Sequence, residues 1–132
     1  MTLAPALAAL GSEKFVSLTT FRKTGIGVST PVWVGLEGDA LVVTTPSGSG
    51  KVKRLRNNDR VELSPCSRRG TVNDGAPNVS AVAELVEGPE AMRRLDTALT
   101  PKYGLEYHVV MFIEKVIRRG PNDRVMLRIT SA

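Results

Sequence analysis

The sequence holds one cysteine, Cys66, and one histidine, His108. A lone thiol cannot close a disulfide within the chain, and it leaves a cysteine-based zinc site without partners. Around His108, in "EYHVVMF", no Ser, Cys or Asp stands in a recognisable relation, so a catalytic triad has no support. Aromatic residues make up only 5% of the chain, too few for an obvious single-strand stacking platform. No apolar run approaches the roughly 20 residues of a membrane span. No basic residue precedes Lys14, so the start lacks the positive region of a secretory signal. The expectation is a cytoplasmic protein with no membrane association.

Acidic residues are also scarce, 13 against 18 Lys and Arg, which leaves a net charge of +5. That surplus suits an anionic ligand. It is weak support for nucleic acid without a helix-turn-helix or finger pattern, and no nucleic-acid partner is expected.

What the chain does have is aliphatic residues and turns. Its 132 residues suit one domain, residues 1–132, with a real core. "KFVSLTTF" (14–21) is rich in β-branched and aromatic residues and reads as a strand. After a glycine-bearing turn, "VSTPVWVGL" (28–36) alternates as a second strand. Pro31 inside it cannot donate to a ladder, which suggests an edge, a bulge or a ligand-facing position. Further strands are predicted over 40–45, 60–66, 79–87 and 123–130, and helices over 3–10, 51–58, 88–104 and 105–120. The fold class is mainly β, a small barrel with flanking helices.

"PSGSGKVK" (46–53) has the look of a phosphate loop, but it fails the P-loop pattern twice. Thr45 stands where the first glycine belongs. Val52 follows the lysine where a metal-binding Ser or Thr is needed. Small residues followed by Lys51, Lys53, Arg54 and Arg56 still resemble an anion cradle at a helix start.

The order "STPVW", strand, "TT", then "SGKVKRLRNNDRVELSPCSRRG" resembles the pyridoxamine-phosphate-oxidase class of flavin- and deazaflavin-binding split barrels. The likeness runs from Lys14 to Thr130. It is most similar to the actinobacterial subgroup described as probable coenzyme F-420-dependent enzymes. The resemblance implies a six-stranded antiparallel split barrel that forms a homodimer, with cofactor sites at the subunit interface. Val32, Val34, Val79 and Ala83 are expected near that joint. By the same resemblance Lys51 matches the phosphate-binding lysine, and Lys53 supports it. Ser49 and Gly50 belong to the loop before it, and Thr44 and Thr45 match hydroxyl positions at the end of the third strand. Ser29, Thr30, Pro31, Val32 and Trp33 match the strand along the tricyclic ring. Many flavin-binding relatives carry arginine where this chain has Ser49, a departure from the FMN-using oxidases. The implied function is an oxidoreductase using coenzyme F-420 on a small organic substrate. The alternatives are FMN as cofactor, or a non-catalytic flavin, deazaflavin or haem binder. Arg68 and Arg69 are candidates to meet an acidic cofactor tail.

Overall fold

The computed structural model describes residues 4–104, 106–107 and 124–132. A short helix α1 (Pro5–Leu10) leads into β1 (Val16–Phe21), β2 (Gly27–Val32), β3 (Gly35–Glu37) and β4 (Ala40–Pro46). Helix α2 (Gly50–Asn57) precedes β5 (Arg60–Pro65) and β6 (Val79–Val86); α3 (Pro89–Tyr103) and β7 (Arg124–Ser131) follow. Every strand pairing is antiparallel, and the sheet order is β2-β1-β5-β6-β7-β4-β3. This is the expected split barrel, with seven strands rather than six.

The extra strand comes from a break in the predicted 28–36 segment. Residues 27–32 pair with β1, whereas 35–37 pair with β4 at the far end of the sheet. Trp33 and Val34 make the crossing. A buried crossing leaves peptide groups without ladder partners, and such groups must be satisfied elsewhere. The last turn of α3 does this. The Val34 N–H donates to the Tyr103 hydroxyl at 3.0 Å, and that hydroxyl donates to the Lys14 carbonyl at 2.7 Å. Lys102 Nζ donates to the carbonyls of Val34 (2.7 Å) and Gly11 (2.8 Å), and also to that of Glu13. Gly35 lets the chain pass close under α3: a Cβ there would stand 3.1 Å from the Ala98 carbonyl oxygen.

Two apolar clusters explain why the "ALVV" start of β4 is buried throughout. Leu41 and Val43 face the barrel interior with Leu18, Leu63, Leu127 and Ile129. Val42 faces the other way, with Met126, under α3. A strand covered on both sides loses the apolar–polar alternation of a half-exposed one. Helix α3 answers with Ala91, Leu95, Leu99 and Tyr103, spaced by four so that they form one buried stripe. Its boundaries follow its sequence: Pro89 opens it and Gly104 closes it at φ +53°. The predicted helix 105–120, with His108, lies largely outside the described residues. Val32, Val34 and Ala83 belong to this chain's own core, and Val79 packs against it.

Replacing Tyr103 by Phe keeps the ring but removes the partner of a buried N–H. The expected cost is about 1–3 kcal/mol. Thr97→Ala, which removes an exposed hydroxyl bonded to the Arg93 carbonyl, should cost less than about 0.5 kcal/mol. Urea unfolding of the two variants checks this, and equal midpoints would contradict the role given to the hydroxyl.

Candidate functional site

A cleft of about 240 Å³ opens where the crossing leaves β2, the end of β4 meets β7, and α2 begins. Its lining includes Phe15, Pro31, Val32 and Trp33 as an apolar wall, Thr44 and Thr45 as hydroxyls, and Lys51 and Arg124 as cations. The structure thus brings together Pro31, Val32, Trp33, Thr44, Thr45 and Lys51 of the predicted set. Ser29, Thr30, Ser49, Gly50 and Lys53 lie outside the lining. Ser29 shares a hydrogen bond with Thr19 across the β1–β2 pair at 2.6 Å. Thr30 Oγ1 is buried without a hydrogen-bond partner among the described residues. Lys53 is exposed on α2.

Ser49 has a definite structural task. It is the N-cap of α2, and its Oγ accepts the Val52 N–H at 3.4 Å and the Thr45 hydroxyl at 3.1 Å. A short polar side chain at this point satisfies one of the helix's free N–H groups, which a long arginine would not do. The cap also ties the end of β4 to the first turn of α2, so Thr45 and Lys51 keep a fixed relation.

Lys51 is only partly exposed, and its pKa is lowered, first by burial and then by the nearby charges of Arg54 and Arg124. Among the described residues no carboxylate pairs with it. Neighbouring cations raise the cost of keeping Lys51 charged, and groups perturbed in this way concentrate at functional sites. Arg124 is itself held by its Nε–H bond to Thr44 Oγ1 at 2.9 Å. The arrangement suits a ligand with an apolar body and an anionic end. An anion beside Lys51 would offset that cost, and the wall of Pro31, Val32 and Trp33 would cover the body.

The walls are backed by a second layer. The Trp33 ring stacks on Tyr103, with centroids 5.0 Å apart and planes 21° apart, and Tyr107 lies tilted at 6.1 Å. Tyr107 donates to Asp96 at 2.6 Å, and burial followed by that carboxylate pushes its pKa well above the ordinary tyrosine value. On the outer side Gly70 sits at φ +90°, where a Cβ would lie 3.3 Å from Pro31 Cδ. Arg68 is 5.8 Å above the Phe15 ring and 3.2 Å from Glu106, which also meets Lys14 at 3.3 Å. Arg68 is therefore engaged within the chain.

Sequence reasoning missed Arg124 and Phe15. Arg124 enters the site because β7 pairs with β4 in a register that sets it opposite Pro46. No local pattern announces a pairing between segments so far apart. Phe15 carried a usable signal: it precedes the buried Val16 and so belongs to the opposite face of the incoming chain. Among the described residues no group of His, Cys, Asp and Glu could hold a metal ion.

Fold and cleft together define a split barrel whose cleft has an apolar wall and a cationic end. The pyridoxamine 5'-phosphate oxidase family matches residues 3–132, and the chain belongs to that family. Solved structures share the architecture. A conserved hypothetical protein of Mycobacterium tuberculosis is 25% identical with a TM-score of 0.66, over 99% of this chain and 82% of that one. A protein described as an F-420 reductase is 18% identical with a TM-score of 0.63, over 98% of this chain and 96% of that one. The haem storage protein HutZ of Vibrio cholerae is 14% identical with a TM-score of 0.67, over 100% of this chain and 92% of that one. The latter two likenesses establish the fold alone. No curated protein matches the chain.

The lowered pKa of Lys51 has a direct readout. Its rate of acylation by an amine-selective reagent should rise with pH to a midpoint below the lysine value of about 10.4. A bound anion favours the ammonium, so saturating pyrophosphate should move that midpoint upward. Peptide-level mass spectrometry over a pH series measures both, and a midpoint at or above the ordinary value would remove the electrostatic basis of the site.

Proposed function

We propose that this protein is a deazaflavin-dependent oxidoreductase that holds coenzyme F-420 in the cleft and acts on a small organic substrate. The observation that carries the reading is Lys51: partly buried, pressed by Arg54 and Arg124, and without an acidic partner among the described residues. Lys51 and Arg124 would take the cofactor phosphate as charge-assisted hydrogen-bond donors. Thr44 Oγ1 accepts from Arg124, which leaves its own proton for a ligand oxygen. Pro31 presents no N–H, and with Val32 and Trp33 it forms a dry wall for a planar ring.

A bound deazaflavin supplies hydride transfer, so the protein needs to bind, orient and exclude water rather than provide an acid–base pair. That fits a lining of aromatic, aliphatic, hydroxyl and cationic groups. Three observations support F-420 over FMN: the net charge of +5, Ser49 acting as a helix cap where many FMN-binding relatives carry arginine, and the sequence resemblance described above. A haem-binding role has less support. The described lining contains no histidine, cysteine or methionine to ligate iron.

Trp33 is the sole tryptophan and lines the cleft, so its fluorescence reports occupancy directly. In such titrations F-420 should bind about tenfold more tightly than FMN, about 1.4 kcal/mol. Lys51→Met keeps the aliphatic stem and removes the charge. It should cost about 1.5–3 kcal/mol of binding, roughly ten- to hundredfold in affinity.

The variant's stability should be equal or higher. Because the folded pKa of Lys51 is depressed, the ammonium is disfavoured by folding. That penalty is complete below the folded pKa, diminishes as pH rises through it, and is gone above the unfolded value. At neutral pH Lys51→Met removes the penalty. Thermal melts check this, and normal affinity in the variant would overturn the proposed site. Equal or reversed affinities for the two cofactors would overturn the deazaflavin assignment alone.

A further inference from the structure

The lysines of the described chain differ in what surrounds their amines. Lys102 Nζ donates to the carbonyls of Gly11, Glu13 and Val34, so its protons are held and it offers no free electron pair. Lys14 pairs with Glu106 at 3.3 Å, and Lys23 and Lys53 are exposed. Lys51 alone among them lines the cleft, half-buried and with no carboxylate partner among the described residues. Arg124 lines the same cleft and is oriented by its Nε–H bond to Thr44 Oγ1 at 2.9 Å. Pro31, Val32 and Trp33 supply an apolar wall beside them. A cleft of about 240 Å³ thus combines a place for a phosphate, a wall that limits water and a primary amine. Burial and the charges of Arg54 and Arg124 also favour the neutral amine, the form that attacks a carbonyl.

We infer that Lys51 is an acylation site for acyl phosphates, which dock in the cleft by the phosphate and pass the acyl group to Nζ. In the step the neutral amine attacks the carbonyl carbon and forms an N–C bond. The C–O bond to phosphate then breaks, and its electron pair leaves with the phosphate oxygen. The amine gives up one proton, which the released phosphate or water takes. Nothing is oxidised or reduced. Thr44 Oγ1 accepts from Arg124 and keeps its own proton, so a hydroxyl donor stands in the lining for the carbonyl oxygen as it gains charge. The product is a neutral amide. It removes the cation that the proposed reading assigns to the cofactor phosphate, so acylation would turn off binding at that site; this consequence rests on that reading, whereas the transfer itself does not.

The test treats the whole protein with acetyl phosphate at mildly alkaline pH and follows each lysine by peptide-level mass spectrometry. Lys51 should be acetylated at least about tenfold faster than Lys23 or Lys53, because docking holds the carbonyl beside its amine. Its rate should saturate with acetyl phosphate concentration, while the rates at the two exposed lysines stay proportional to it. N-acetylimidazole carries the same acyl group without a phosphate, and its preference for Lys51 should be smaller. Equal rates at the three lysines would overturn the inference. So would an equal preference with both reagents, which would show a reactive amine without phosphate docking. Protein acetylated at Lys51 should bind FMN about tenfold more weakly by Trp33 fluorescence, and unchanged affinity would overturn the effect on binding. The two readings can fail separately. Selective, saturable acetylation in a protein that binds neither F-420 nor FMN would keep the acylation site and remove the proposed function. Cofactor binding that Lys51→Met weakens, without selective acetylation, would do the reverse.

Discussion

The Val34 peptide is the point on which the rest of the structure turns. To split one extended segment between opposite ends of a sheet, the chain must bury a stretch that no strand can pair. Lys102 and Tyr103 meet that demand, and their partners also include Gly11, Glu13 and Lys14 before β1. One turn of α3 therefore fixes the β2–β3 crossing, the entry to β1 and, through the Tyr103 ring, the position of Trp33. An unsatisfied buried peptide group costs on the order of 1–3 kcal/mol, so this small cluster is worth a sizeable share of a domain's marginal stability.

Lys102 and Lys51 show the same physics with opposite outcomes. Burial lowers the pKa of both. Lys102 is surrounded by three carbonyl oxygens that accept its protons, and Glu13 favours its charge. Its ammonium is satisfied by the fold, and nothing further is required of it. Lys51 has two cations acting on it and no acidic group to oppose them among the described residues. A fold that satisfies one lysine so fully has no general need to leave another unsatisfied, and that contrast is a better guide to the site than basicity alone.

The sequence carried the parts of this whose causes are local. β-Branched and aromatic content marked β1, proline and glycine bounded α3, and the small residues before Lys51 marked a helix start with anion-binding character. It did not carry the division of residues 28–36. That break depends on Lys102 and Tyr103, far along the chain, and the intervening "WV" is as strand-like as its neighbours. Arg124 was hidden for the same reason, because its place depends on the β4–β7 register. Ser49 was legible as a departure from the arginine of many relatives, yet its positive role as the cap joining Thr45 to α2 needed coordinates.

These dependences also say which features of the cleft can vary and which cannot. Trp33 is held from behind by Tyr103 and Pro31 from outside by Gly70, where a positive φ and a tight contact disfavour a side chain. Those walls are built from packing and backbone geometry, and changing them disturbs the fold. The charged end is different. Lys51 and Arg54 are not part of the apolar core, and the charge of Arg54 disfavours that of Lys51. The Ser49 cap holds the backbone that carries Lys51, and Thr20 holds the Arg54 side chain. The binding free energy of an anion there is not consumed in gathering the cations, since the fold has already opposed their repulsion. On the proposed reading, the apolar wall would select the ring and the charged end its anionic group, and the two requirements could change independently.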